Sequence, residues 1–144
     1  MPLTDHHRFG MQLAHMSRGW RAELDRRLAG LNLSQARWLV LLHLARFDEA
    51  PTQRELAQSV GVEGPTLARL LDSLEAQGLV KRQAVLEDRR AKKIVLCPPA
   101  KPLIDQIETI ANALRVELFE GIDEEELRVC MRVHARILGN LEKS

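Results

Sequence analysis

Residues 51–97, PTQRELAQSVGVEGPTLARLLDSLEAQGLVKRQAVLEDRRAKKIVLC, constrain the fold of this chain more than any other stretch. Thr52-Gln53-Arg54-Glu55 has the form of a capping box, in which a hydroxyl and a carboxylate satisfy opposite backbone amides and start a helix. Leu56, Ala57 and Val60 then share one face, and Gly61 permits a tight turn. Pro65 pre-sets φ for the first turn of a second helix, whose stripe is Leu67, Leu70, Leu71 and Leu74 and whose end is Gly78. Residues 79–83 and 93–96 read as the strands of a hairpin. The link between them is too long for a two-residue turn and holds Glu87-Asp88-Arg89-Arg90, which predicts a protruding wing. Helix, turn, helix and hairpin in that order predict a winged helix-turn-helix, mainly α with one small β-hairpin.

The surface such a unit presents has the chemistry of a groove reader. Opposite the leucine stripe, the second helix begins with Gly64, Pro65, Thr66, Ala68 and Arg69. Small residues let a helix approach base edges, and an arginine can fork onto guanine. Between Lys81 and Lys93 stand six basic residues, Lys81, Arg82, Arg89, Arg90, Lys92 and Lys93, against Glu87 and Asp88. Net charge is only +1, so the distribution of charge carries this point and its total does not. A local basic tip on a near-neutral body suits contact with phosphates through one face; the bland alternative is a solvated basic loop.

The flanks are helical. Phe9, Leu13, Met16, Trp20, Leu24 and Leu28 recur every three or four positions over residues 7–28, with Arg18, Arg21, Arg26 and Arg27 on the other faces and Gly30 as the expected C-cap. Ser34 is the expected N-cap of a rather apolar helix containing Trp38, Leu39, Leu42 and His43, which belongs in the interior. Beyond Pro98, Pro99 and Pro102 a long helix carries Leu103, Ile107, Ile110, Ala111, Leu114 and Leu118. Gly121 breaks it, and Asp123 caps a last helix with the stripe Leu127, Cys130, Met131, His134, Ile137, Leu138 and Leu141. One chain of 144 residues builds one sizeable core, which is too little to cover all these stripes. A homodimer is therefore expected, with two reading helices about one DNA turn apart and a roughly palindromic target. The expected division is residues 1–32 and 98–144 for dimerisation around a DNA-binding domain at residues 33–97.

Other classes find little support. No apolar run approaches the ~18 residues of a membrane span, and MPLTDHHRF lacks a signal-peptide core, so a soluble cytoplasmic protein is expected. Cys97 and Cys130 form no C-x-x-C, and the histidines never pair at ligand spacing, so neither a metal nor a cofactor is expected. No glycine-rich phosphate loop follows a strand and no nucleophile motif appears, which argues against an enzyme. Two rivals use the same fold. One is a redox sensor acting through Cys97 or Cys130, where Cys130 on the apolar stripe reads as buried and Cys97 as the more exposed thiol. The other is a winged helix that binds only protein, for which the basic residues would be dispensable.

Over essentially its whole length the chain resembles the MarR family of bacterial transcription regulators, and within it the SlyA group. The resemblance is carried by Trp20-Arg21-Ala22, Leu33-Ser34-Gln35 with Trp38, Gln53 with Leu56-Ala57, Val62 to Leu67, Arg69, Leu71-Asp72, Leu74-Glu75, Gly78-Leu79-Val80 and, most specifically, Asp88-Arg89-Arg90-Ala91-Lys92-Lys93-Ile94-Val95-Leu96. It implies a dimer whose recognition helix enters the major groove with Pro65, Thr66 and Arg69 while the wing reaches the minor groove. Arg90 falls where the family's wing arginine enters that groove, with Arg89 beside it, and Asp88 falls where an aspartate braces the arginine. Gln53 at the head of the preceding helix joins the expected DNA contacts. Narrow, AT-rich minor grooves attract arginine, so an AT-rich palindrome is the expected operator. Cys97 stands where the family commonly has Thr, and Gly64 where the group commonly has Gln. Many members also bind small aromatic carboxylates such as salicylate and then release DNA; by analogy Arg18 and Arg21 would pair the carboxylate and Trp38 would line the pocket.

Overall fold

The computed structural model describes every residue except 34–35, 86–87 and 144, and of residues 88–91 the backbone alone. Its elements are α1 (Asp5–Leu28), a 3-10 turn (Ala29–Leu31), α2 (Arg37–Ala45), α3 (Gln53–Val60), α4 (Gly64–Ala76), β1 (Val80–Val85), β2 (Asp88–Leu96), α5 (Ala100–Leu118) and α6 (Glu124–Glu142). The chain is thus mainly helical with one antiparallel hairpin, the expected class. It divides into two compact units, Met1–Asn112 and Ala113–Ser144.

In the first unit, α2, α3 and α4 pack against one another, and the hairpin packs on all three. Trp38, Val40, Leu41, Leu42 and Leu44 of α2 are buried, as expected of an interior helix. Leu56, Ala57 and Val60 of α3 and Leu67, Leu71 and Leu74 of α4 face them. Each fully buried leucine stabilises the fold by roughly 1.5–3 kcal/mol relative to exposure. Leu70 is only half-buried, so the stripe of α4 is narrower than its leucines suggest.

Local chemistry sets the element ends. The Thr52 hydroxyl accepts from the Glu55 amide at 3.1 Å while the Thr52 amide donates to Glu55 Oε1 at 2.9 Å. Gly61, at φ 83°, supplies the left-handed residue that closes α3, a conformation that costs a side chain. Just before α3 the chain also joins the hairpin: Ile94 N–H donates to the Pro51 carbonyl at 2.9 Å, and Thr52 pairs with Lys93. Helix α3 is therefore anchored to the wing at its first turn.

Several boundaries differ from the sequence expectation. Gly30 does not cap α1; the chain continues into the 3-10 turn, and Asn32 takes the left-handed conformation at φ 59°. Asparagine tolerates that region because its short amide bonds locally. Helix α2 begins at Arg37, and the N-cap expected at Ser34 lies outside the described residues. On α5 the buried positions are Ala100, Ile104, Ile107, Ala111 and Leu114, so Ile104 replaces Leu103 and Leu118 is exposed. The strands are longer than expected, because antiparallel pairing continues from Val80↔Leu96 to Ala84↔Lys92 and Val85↔Asp88. Asp88, Arg89 and Arg90, expected in the link, belong to β2.

In the second unit Gly121 stands at φ 84°, and Asp123 and Glu126 form a second capping box at the start of α6. No residue of α6 is buried in the single chain.

Candidate nucleic-acid interface

The α3–turn–α4 unit presents the outer side of α4. Its buried face holds Leu67, Leu71 and Leu74, so the helical period turns Pro65 and Arg69 outward, where both are exposed, with Thr66 half-buried beside them. Glu63 caps the helix without a side-chain bond, and Pro65 sits in the first turn, where its missing N–H costs no helical bond. The first turn therefore presents a compact, weakly polar surface with one long cation behind it.

The wing stands next to this helix. Ala84 pairs with Lys92 and Val85 with Asp88, so residues 89–91 of β2 oppose a single step of β1. Such an irregularity bends the strand and leaves extra backbone outside the ladder. Arg89 and Arg90 thus lie on a bulge near the hairpin tip, while the positions of their side chains and of Asp88's are outside the described residues.

The basic tip is smaller than the sequence suggests, because Arg82 is largely withdrawn from solvent. On β1, Val80 is buried and Lys81 exposed, so the two-residue period points Arg82 inward. Its side chain is 16% exposed, with Nη2 3.0 Å from Asp72 Oδ1 and Nη1 3.2 Å from Glu75 Oε1. Nη2 also donates to the Ala68 carbonyl at 3.0 Å and Nε to Gln53 Oε1 at 3.4 Å. Gln53, an expected DNA contact, is half-buried, and its oxygen accepts from Arg82. The sequence places Arg82 among the six basic residues of the tip; the alternation Val80, Lys81, Arg82 was the signal that it points inward.

The residues assigned to a ligand divide differently. Arg18 and Arg21 are exposed and line a surface depression of about 250 Å³ with Ser17, Ala22 and Asp25. Trp38 is buried in the core, and its indole N–H donates to Asp25 Oδ1 at 2.5 Å. It meets the depression through Asp25. Nearby, burial first and then the charges of Arg46 and Arg21 hold His43 below its usual pKa, with Nδ1 2.7 Å from Ser59 Oγ.

The thiols reverse their expected order in the single chain: Cys130 is exposed and Cys97 half-buried. Periodicity placed Cys130 on an apolar stripe, but no residue of α6 is buried in the single chain. Among the described residues no group of histidine, cysteine and carboxylate side chains is placed to hold a metal, and no helix is long and apolar enough to cross a membrane.

A helix-turn-helix whose second helix is followed by an anchored antiparallel hairpin defines a winged-helix protein. The model of the MarR family matches residues 30–91. Transcriptional regulator PA3341, known from a crystal structure, is 68% identical, with 94% of this chain and 99% of that one covered and a TM-score of 0.90. The chain belongs to the MarR family of transcriptional regulators. The same fold occurs in S. aureus MepR in complex with DNA, at 22% identity, TM-score 0.81 and coverage of 96% and 99%. It occurs also in CouR from Rhodococcus jostii RHA1 bound to p-coumaroyl-CoA, at 24% identity, TM-score 0.81 and coverage of 94% and 95%.

Proposed function

We propose that this regulator binds an AT-rich, palindromic operator as a homodimer, in the manner of the SlyA group, and that small aromatic carboxylates release it. The observation that carries the reading is the joint placement of exposed Pro65 and Arg69, with half-buried Thr66 between them, on α4 and a hairpin anchored beside it whose bulge bears Arg89 and Arg90. In this reading α4 enters the major groove, where Arg69 forks onto guanine. The wing follows the adjacent minor groove, where Arg90 is drawn by the negative potential of a narrow AT tract and Asp88 braces it. Gln53 donates its NH2 to a backbone phosphate at the head of α3.

Dimerisation follows from uncovered apolar surface. Phe9, Leu13 and Met16 on α1, and Val129, Met131, Val133, Leu138 and Leu141 on α6, are all at least 40% exposed in the single chain. Exposed apolar residues at helical spacing on each of these helices support an interaction surface on each. Residues 1–32 and 98–144 accordingly serve dimerisation, and residues 33–97 serve DNA binding. A two-fold axis then presents two α4 helices to half-sites about one helical turn apart.

Arg18 and Arg21 are the carboxylate's partners in this reading. The aromatic ring lies over the α1 surface, and Trp38 acts through its bond to Asp25. The CouR complex supports ligand binding on this fold. Selection of bound duplexes from a random pool, with and without salicylate, tests the whole reading. The expected result is an AT-rich palindrome lost in the presence of salicylate; recovery of no common sequence would refute DNA recognition, and an unchanged yield would refute this ligand.

A further inference from the structure

The wing and the recognition helix are joined by one side chain. Arg82, on β1, donates from all three guanidinium nitrogens, to Glu75 and the Ala68 carbonyl on α4 and to Gln53 at the head of α3, and pairs with the Asp72 carboxylate of α4. Its backbone N–H adds a fifth link, to Glu75 Oε2 at 3.2 Å. The acceptors lie on successive turns of the same side of α4, and Ala68 immediately precedes Arg69. A guanidinium presents its donors in a fixed planar fork, so bonds from several of its edges fix orientation as well as distance. A hairpin of two strands is marginal on its own and needs such an anchor.

We propose that Arg82 is a positioning residue for operator recognition: it locks the hairpin to α4, so that the wing and the recognition helix meet their two grooves as one rigid body. The inference rests on the DNA reading given above. Arg82 touches no nucleic acid. Its part is to hold residues 89 and 90 at a fixed offset from Arg69. Both grooves are then engaged without the cost of ordering the hairpin at the moment of binding. Glu75 matters through the same lock, since its two oxygens receive the side chain and the backbone of Arg82.

The test uses the full-length protein with Arg82→Gln, Arg82→Lys and Glu75→Gln, and two readouts. The first is amide hydrogen exchange of the free protein. Arg82→Gln should speed exchange across Lys81 to Ala84 and Lys92 to Val95 at least ten-fold, with the α4 core unchanged and Arg82→Lys intermediate. The second is affinity for the selected duplex compared with one whose AT flanks are replaced. Wild type should lose about ten-fold on replacement, as for one or two mismatched positions. Arg82→Gln should lose less than about three-fold, because an unlocked wing no longer reads the flanks.

A variant that is merely less stable lowers the active fraction on both duplexes and leaves their ratio at the wild-type value, which would overturn the proposal. Unchanged hairpin exchange would overturn it too. If Arg82→Gln does not fold, Glu75→Gln carries the same two comparisons, with the same results expected and the same results overturning the lock. Failure of the wild-type protein to prefer any duplex would refute the DNA reading itself and the inference with it. That outcome is separate from an intact preference that ignores the lock.

Discussion

Thr52→Val tests whether the start of α3 is held by a side-chain cap or only by the packing behind it. Valine keeps the shape and β-branching of threonine and leaves backbone pairing with Lys93 and the Pro51 carbonyl in place. It removes the hydroxyl that accepts from the Glu55 amide at 3.1 Å and so leaves one helix-initiating N–H without its partner. Loss of an N-cap oxygen costs about 1 kcal/mol. For a domain of this size that corresponds to a fall of about 3 °C in Tm, compared at equal protein concentration because a dimer's Tm depends on it.

The cap also has a pH signature. Hydrogen bonds from the Thr52 amide and hydroxyl hold the Glu55 carboxyl below its usual 4.5. A depressed carboxylate pKa contributes stability that is present above the unfolded value and is lost as pH falls through the folded one. Valine keeps the amide bond and removes only the hydroxyl's part, so the gap between wild type and Thr52→Val should be full at pH 7 and narrow in part below about pH 4.5. Urea denaturation at pH 7 and at pH 3.5 measures both quantities. A difference under about 0.3 kcal/mol at pH 7, against the ~1 kcal/mol of a working cap, would refute the cap's contribution. A gap that does not narrow in acid would refute the coupling to Glu55.

Three further outcomes follow from named contacts. Arg69→Ala should cost roughly 1–3 kcal/mol of operator affinity and relax preference at one base pair, which titration against single-base variants of the selected duplex would show. His43, held below its usual pKa mainly by burial, stays neutral in the folded state after the unfolded chain takes up its proton. Stability should therefore decline as pH drops through about 6.5 toward the lower folded pKa, and His43→Gln should flatten that limb in denaturation midpoints at pH 7.5 and 5.5. Leu138→Glu, at an apolar position 60% exposed in one chain, should shift the protein toward monomer in sedimentation and lower operator affinity at least ten-fold. A fully dimeric Leu138→Glu protein would place the interface elsewhere.

The succession of elements was legible in the residues alone. Thr52 with Glu55, Pro65, Gly61, Gly78 and Asp123 with Glu126 each act within one helical turn, so their meaning needed no distant partner. Stripes of period 3.6 likewise located α3 and α4, and with them the outward face of Pro65 and Arg69. Periodicity did not decide which of two neighbouring stripes is buried, because Leu103 and Ile104 fit equally well until the surrounding core selects one. Nor did it decide which charges face water. Arg82 read as one more cation of a basic tip, yet its partners stand 7 to 29 residues away and are brought to it by the packing of β1 on α4 and α3. The pairing of Pro51 and Thr52 with β2, and the bulge that places Arg89 and Arg90, arise in the same way. Local signals are written in adjacent residues and survive in isolation. The choice between a solvated arginine and an anchoring one depends on acceptors that only the folded chain assembles.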